Sequence, residues 1–468
     1  MDLDPTPLKS LLAACHSGAF PILSAFEEKR LEDEHQHLRK LLASGIPIYG
    51  GNRRPGHREI EAELSEHALS RDILESHAIG EAPWYDSLQI RSISVAKLAM
   101  WRAGGSGVSV KMFNRVAALL ADESFRPLVP RCNTYSAGDV IPAAHWAQAI
   151  LEGSPKTGRH KGKAEIMTLV NGAFIHAGLA LMSISQLRDA WILFFENTIA
   201  CMQNLRNNSF LRCSRIRLAP AAIDAVDTLR FLTTNLSPVT GLQDSISIRA
   251  TDEIFETLLE AVDRMAQRLT ETLHRPSCNP LINEHQKTGI SQASFFLPAL
   301  AVAQGALIDA ILFTMWAQVG RTTYLLGGDV ATIPVDGATS ERPLGLIQHP
   351  KQMMALLEEA RSVAGRLVYS SGGSTSHGIE DIWSHGVTVT DTLTAVCERF
   401  FKMSSIEACV LQHLRNSGLI SENTGCDIGA ASLASSGNHL KPASVRHMVT
   451  ERLIADPNYP RYGFPVQC

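Results

Sequence analysis

Between residues 251 and 273 the chain reads TDEIFETLLEAVDRMAQRLTETL, and Ile254, Leu258, Val262, Met265 and Leu269 recur at the interval that puts them on one stripe of an α-helix. Thr251 is the predicted N-cap, with Asp252 and Glu253 where the positive end of the helix dipole favours acids. Residues 164–206 contain no proline and are apolar on more than one face, which predicts one or two long helices packed on several sides. The stretch FFLPALAVAQGALIDAILFTMWAQVG at 295–320 has the length of a membrane span. Gln304, Asp309 and Gln318 interrupt it, and its many alanines suit close helix contact, so a central helix buried in a bundle is expected instead. Period-two alternation is scarce, and DVATIPV at 329–335 is the best strand candidate. Linkers rich in Pro or Gly, internal repeats and low-complexity runs are absent. The pattern predicts a mainly α fold with one domain over 1–468: a loop-rich N-terminal part (1–160), a central helical bundle (161–400) and a C-terminal helical tail (401–468).

Composition narrows the function classes. With 468 residues, 45% hydrophobic and 19% charged, the chain can bury a sizeable core and does not read as disordered. The formal charge is −4 and the signs are interspersed, so no nucleic-acid partner is expected. GRHKGK at 158–163 is the densest basic run and reads as a solvated loop. Nine cysteines, scattered without CxxC spacing, argue against a disulfide framework or a zinc cluster and point to a reducing, cytoplasmic setting. The opening MDLDPTPLKS has two acids before any base and no apolar core, so neither a signal peptide nor a membrane partner is expected.

Chemistry should show where polar residues interrupt apolar surroundings. The stretches are IPIYGGNRRPGH (46–57), LESHAIG (74–80), YSAGD (135–139), LVNGAF (169–174), QDSISIR (243–249) and STSHGIEDIWSHG (374–386). Glycine-rich turns beside Tyr, His, Asn, Arg and Glu suit a site built where helix ends meet loops. In this order they resemble the histidine and phenylalanine ammonia-lyase family over most of residues 40–400. YGGNRRPG resembles that family's Tyr-Gly-x-Asn-Thr-Gly-Phe-Gly loop, SHAIG its Ser-His-Ala-x-Gly, and YSAGDVIPAAH its Ala-Ser-Gly-Asp-Leu-x-Pro-Leu-x-His. LVNG, QDSISIR, CNPLI, ISQASF and HGIED are similar to further motifs of the same family. The resemblance implies a mainly helical fold of the ammonia-lyase and fumarase-like type, assembled as a homotetramer whose active sites draw on three subunits.

Family members make an internal electrophile, a methylidene-imidazolone, by cyclising and dehydrating Ala-Ser-Gly. The corresponding triad is Ser136, Ala137 and Gly138, and Ala137 has no hydroxyl to lose. The remaining correspondences imply a small-molecule site. Tyr49 matches the base that removes a β-proton, a role that requires positive charge nearby, which Arg53 and Arg54 can supply. Arg249 matches the fork that holds the substrate carboxylate, and Asn171 the amide that steadies the substrate or the electrophile. His77 and Glu380 match positions that grip an imidazole ring, where a carboxylate can accept the ring N–H.

Ile246, Phe296 and Ile379 stand where the family has Tyr, His and Gln, which makes the amine side of the pocket more apolar. Tyr135, Trp146, Phe295 and Phe296 are candidates for an aromatic box around a quaternary ammonium. A trimethylammonium leaves as a neutral amine and needs no electrophilic help, so no cofactor is expected. The set is similar to the ergothionase branch, which eliminates trimethylamine from a histidine-derived betaine. Three alternatives stand beside that reading. One is a catalytically silent binding or structural subunit, and one is a lyase or isomerase acting on another aromatic substrate. The third is a metal enzyme using His377, Glu380, Asp381 and His385, whose spacing matches no standard zinc or iron pattern.

Overall fold

The predicted helical stripes become helices in the computed structural model, which describes residues 6–56, 66–131, 134, 137–160, 165–203, 218–233, 243–283, 285, 287–328, 330, 333–367, 373–420 and 464. In chain order they are α1 (Leu8–Ser17), α2 (Ala25–Ala43), α3 (Glu66–His77), α4 (Ser87–Arg102), α5 (Val110–Leu120), α6 (Val140–Glu152) and α7 (Ile166–Val170). The second half adds α8 (Phe174–Met202), α9 (Pro220–Thr233), α10 (Ile246–Arg249), α11 (Thr251–Leu273), α12 (Pro298–Leu325), α13 (His349–Ala364) and α14 (Gly386–Asn416). Among the described residues there is no β-strand, and extended pairing is confined to isolated bridges. The strand candidate at 329–335 is therefore corrected: Val335 opens a single 3₁₀ turn, Val335–Gly337, while Asp329, Ala331 and Thr332 lie outside the described residues.

Other boundaries also move. Thr251 is the first helical residue of α11 and not its cap, because α10 runs almost directly into α11 through Ala250 and leaves no extended residue to cap from; the Thr251 hydroxyl donates back to the Ile248 carbonyl at 2.6 Å. The expected stripe holds, with Ile254, Leu258, Val262, Met265 and Leu269 all buried. The first 160 residues carry α1–α6, and α14 passes through the expected boundary at 400. Cys15, Cys201, Cys278, Cys397 and Cys409 are free thiols.

Three long helices form the centre: α14 packs on both α8 and α12, and side chains of α8 and α12 meet across it. Two buried polar clusters fix their direction. At one level His176 Nε2 donates to Gln304 Oε1 at 2.7 Å, Gln304 Nε2 donates to the Thr390 hydroxyl at 2.7 Å, and that hydroxyl donates to the Gly386 carbonyl at 2.8 Å. At the other, Arg321 donates Nε and Nη2 to the two oxygens of Glu407 at 2.7 and 2.6 Å, with Gln318 Nε2 on Glu407 at 2.7 Å and Arg321 Nη1 on the Thr198 hydroxyl. The first cluster lies near the start of all three helices and the second near their ends, so the three run parallel. Between the two levels Trp191, Phe194, Phe195, Phe255 and Phe400 interlock with ring centroids 4.9–5.9 Å apart.

The helix expected to be buried within 295–320 is only partly so. α8 is enclosed along nearly its whole length, whereas α12 leaves Val302, Phe313 and Trp316 exposed at 64%, 59% and 53%. Both are long and apolar enough to cross a membrane by length and composition alone.

Candidate active site

The starts of α8, α12 and α14 form one end of the bundle, and the loops that precede them carry Asn171, Phe295, Phe296 and Glu380. Tyr49 sits in a tight turn: the backbone N–H groups of Gly51, Asn52 and Arg53 all donate to the Ile48 carbonyl at 3.0–3.2 Å. Asn52 braces the turn by accepting from the Ile48 N–H at 2.8 Å and donating to the Ile46 carbonyl at 3.0 Å. Gly50 adopts φ +65° there, and a Cβ at this position would overlap the Met167 side chain, so glycine is required twice over. The Tyr49 hydroxyl accepts the Gly56 N–H at 2.9 Å. Arg53 pairs back to Tyr49 through an isolated bridge and is half-buried.

Gly56 leads directly to Glu380. A Cβ on Gly56 would lie 3.9 Å from Ser376 Oγ. The Glu380 carboxylate accepts from the Thr375 hydroxyl at 2.6 Å and from Ser376 Oγ at 3.2 Å, and the backbone of Thr375 bridges that of Glu380. The Tyr49 loop and the Glu380 loop are thus neighbours. His77 is the last residue of α3, where Nδ1 lies 2.8 Å from the Ile73 carbonyl and donates to it, which leaves Nε2 as the acceptor nitrogen. α3 packs on α6 and α7, and the Gly80 N–H donates to His145 Nε2 at 3.0 Å, so the SHAIG loop is pinned to α6.

Of the triad, Ser136 lies outside the described residues, as does Tyr135. Ala137 is half-buried, and Gly138 leads through a left-handed Asp139 (φ +49°) into α6. Phe295 lies beside this turn, 3.7 Å from where a Gly138 Cβ would be, and both Phe295 and Phe296 are half-buried. Asn171 ends α7; it is 8% exposed, and its buried Oδ1 has no hydrogen-bond partner among the described residues. Its carbonyl accepts from the ammonium of Lys97 at 2.6 Å. Lys97, a lone lysine in the apolar run SISVAKLAMW, was legible as an anomaly but matched no motif.

Two expectations do not fit a single chain. Trp146 belongs to the core: it is 0% exposed, packs on Phe174 at 5.1 Å, and donates its indole N–H to Ser94 Oγ at 3.0 Å, because α6 turns that face inward against α4 and α8. Ile246 and Arg249 lie on α10, which packs on α12 near its C-terminal end, with Ser247 against Gly320. The Tyr324 hydroxyl donates to Asp244 at 2.9 Å, and Arg249 Nε donates to the Asp244 carbonyl at 2.8 Å. From Pro298 to Gly320 the helix rises about 33 Å, so within one chain Arg249 is far from Phe295, Asn171 and Glu380. Ile246 is 70% exposed.

A cleft open to solvent adjoins Tyr49 and is lined also by His35, Arg39, Glu165, Met167 and Cys278. Asn171, Glu380, His77, Arg249 and Phe295 are absent from its walls. Among the described residues no group of three or more His, Cys, Asp or Glu side chains is arranged to hold a metal ion.

The sequence profile described as aromatic amino acid lyase matches residues 9–425. Histidine ammonia-lyase from Vibrio parahaemolyticus is 24% identical over 357 residues, 68% of this chain and 66% of its own length. A relative from Thermoplasma acidophilum is matched over 62% of its length, so the chain spans less than two thirds of these curated relatives. Among solved structures, the ergothioneine-degrading enzyme ergothionase from Treponema denticola superposes with a TM-score of 0.79 over 97% of this chain and 98% of its own, at 17% identity. Phenylalanine aminomutase from Pantoea agglomerans superposes at 0.82 over 96% and 98%, at 16% identity. At such identities these two likenesses establish the mainly helical fold.

Proposed function

The chain belongs to the aromatic amino acid lyase family, and from that premise we propose that it is a carbon–nitrogen lyase that eliminates trimethylamine from a histidine-derived betaine, ergothioneine or its sulfur-free counterpart hercynine. The observation that carries this reading is Ala137. A self-made methylidene-imidazolone does not fit here: the residue that should lose a hydroxyl has only a methyl group, and no step is routed through that electrophile. Elimination must then expel a group that departs unaided.

In the proposed reaction Tyr49, as phenolate, takes a proton from the β-carbon. The C–H electron pair becomes the carbon–carbon double bond, and the C–N pair leaves with trimethylamine as a neutral molecule. The product is the conjugated acrylate, and the proton remains on Tyr49 until solvent removes it. Arg53 beside the Tyr49 turn supplies positive charge that favours the phenolate. Arg249 holds the carboxylate, Asn171 steadies the substrate, and Glu380 with His77 grips the ring. The T. denticola enzyme, described as ergothioneine-degrading and bound to desmethyl-ergothioneine sulfonic acid, supports a betaine of this type.

The proposed unit is a homotetramer with shared sites. Two features support it: Arg249 sits on α10, which packs near the far end of α12, about 33 Å along that helix from Pro298, and α12 exposes Phe313 and Trp316 along an apolar face. A reducing, cytoplasmic setting accords with the free thiols.

The test is to offer ergothioneine, hercynine and histidine to the purified protein, following the acrylate by absorbance and trimethylamine by mass spectrometry. Release of trimethylamine from a betaine is expected. Ammonia from histidine, or no turnover of either betaine, would overturn the reading, the latter in favour of a silent binding subunit.

A further inference from the structure

We propose that Lys97 is a positioning residue of this site: its ammonium, bonded to the Asn171 carbonyl, fixes the turn from which the Asn171 amide meets the substrate. The inference rests on the reading of Asn171 as a site residue. Lys97 lies on the inner face of α4 and is 1% exposed. Its Nζ stands 2.6 Å from the Asn171 oxygen, 4.2 Å from the centroid of Phe174 and 5.2 Å from that of Trp101. Among the described residues it forms no ion pair with a carboxylate. Burying a cation in this way is costly, and methionine would fill similar space without the cost. The cost is explicable if the charge is used, and its hydrogen-bond acceptor is the backbone of the turn between α7 and α8.

That turn has few other fastenings. The Asn171 N–H closes α7 on Met167 at 3.0 Å, and the Ala173 N–H reaches Ser277 Oγ at 3.5 Å. Lys97 therefore supplies the short, charge-assisted bond that holds the Asn171 carbonyl inward. The Asn171 side chain, with its buried Oδ1 lacking a partner among the described residues, is left to satisfy itself on a ligand. The brace is also titratable. Desolvation pulls the Lys97 ammonium from 10.5 down to about 7, with Cys278 opposing the fall. Cys278 is the titratable group acting on it; burial pushes the pKa of that thiol up, with Lys97 opposing the rise and Glu34 of α2 adding to it. Below about pH 7 the brace is charged and tight, and above it the bond becomes a weaker amine–carbonyl contact.

Two variants test the proposal. Lys97→Met keeps the apolar packing and removes the donor, while Lys97→Arg restores both charge and donor. Lys97→Met is expected to lower kcat on the order of 10- to 100-fold with little change in KM. Wild type is expected to decline in rate as pH rises through about 7, and Lys97→Met should lose that decline. Lys97→Arg should recover activity and sustain it to higher pH. A folded Lys97→Met protein with wild-type kcat and pH profile overturns the proposal. Crystal structures of wild type and Lys97→Met give a readout independent of turnover: the Asn171–Gly172 turn should shift, and an unmoved turn overturns the role of Lys97 even if no betaine is consumed. Failure of wild type to turn over a betaine, by contrast, counts against the proposed reaction alone.

Discussion

The two ends of the central bundle solve the same problem differently. Each sends a polar cluster through the contact of α8, α12 and α14. At the C-terminal end the cluster is ionic and its charges are closed: Glu407 takes donors from Arg321, Gln318 and Thr322, and Arg321 also reaches Thr198, with Gln318 Oε1 left over. Burial alone would lower the Arg321 pKa, but Glu407 holds it above its ordinary value. At the N-terminal end the cluster is neutral. His176 is fully buried and pulled down to about 4 by desolvation, and its Nδ1 has no partner among the described residues. Gly386 lies against that ring, so closely that any Cβ would collide with it. A buried ion pair clamps the three helices at one end, whereas the neutral relay at the other holds only while histidine stays unprotonated. The candidate site sits at the second kind of end.

The sharpest test of the contrast is catalytic. Tyr49→Phe is expected to lower elimination about 10³-fold by removing the base, and Arg249→Ala should be comparably inactive. Because the two residues lie at opposite ends of one chain, refolding a mixture of the two inactive variants should recover a fraction of wild-type rate in sites that combine intact copies. No recovery would break the account of shared sites.

Glu407→Gln should be the largest stability change, costing about 3–5 kcal/mol by denaturant unfolding, since it leaves the Arg321 cation buried without a counter-charge. A loss below about 1 kcal/mol would mean that the C-terminal clamp is not what holds the three helices.

Acid should loosen the other end. Between pH 6.5 and about 4 the unfolded chain protonates this histidine while the folded chain does not, so stability falls as pH drops through that window. The loss attributable to His176 is about 3 kcal/mol, and His176→Gln should flatten that part of the profile. The smallest effect is local: Thr375→Val removes the 2.6 Å bond that orients Glu380 and should lower kcat about 10-fold without changing the melting temperature.

How much was legible varies from element to element. The stripe of α11 was readable because one face meets the core and the other meets water. α8 and α12 were readable as long helices, but both are so apolar that the sequence could not say which keeps an open face. Trp146 looked like a pocket aromatic and proved to be core, since an indole pattern is the same whether its N–H meets a ligand or Ser94. Lys97 and the Thr375–Ser376 contacts of Glu380 match no motif, because a bond to a residue far along the chain or around a turn is a relation that motif spacing does not encode.

By itself the sequence determined the helical class and the absence of a hydroxyl at Ala137, because periodicity and residue type are properties of residues in order. Only the tertiary structure decided which residues meet. A helix of 28 residues carries the start and end of α12 far apart, so Phe295 and Arg249 stand close in motif order and far apart within one fold.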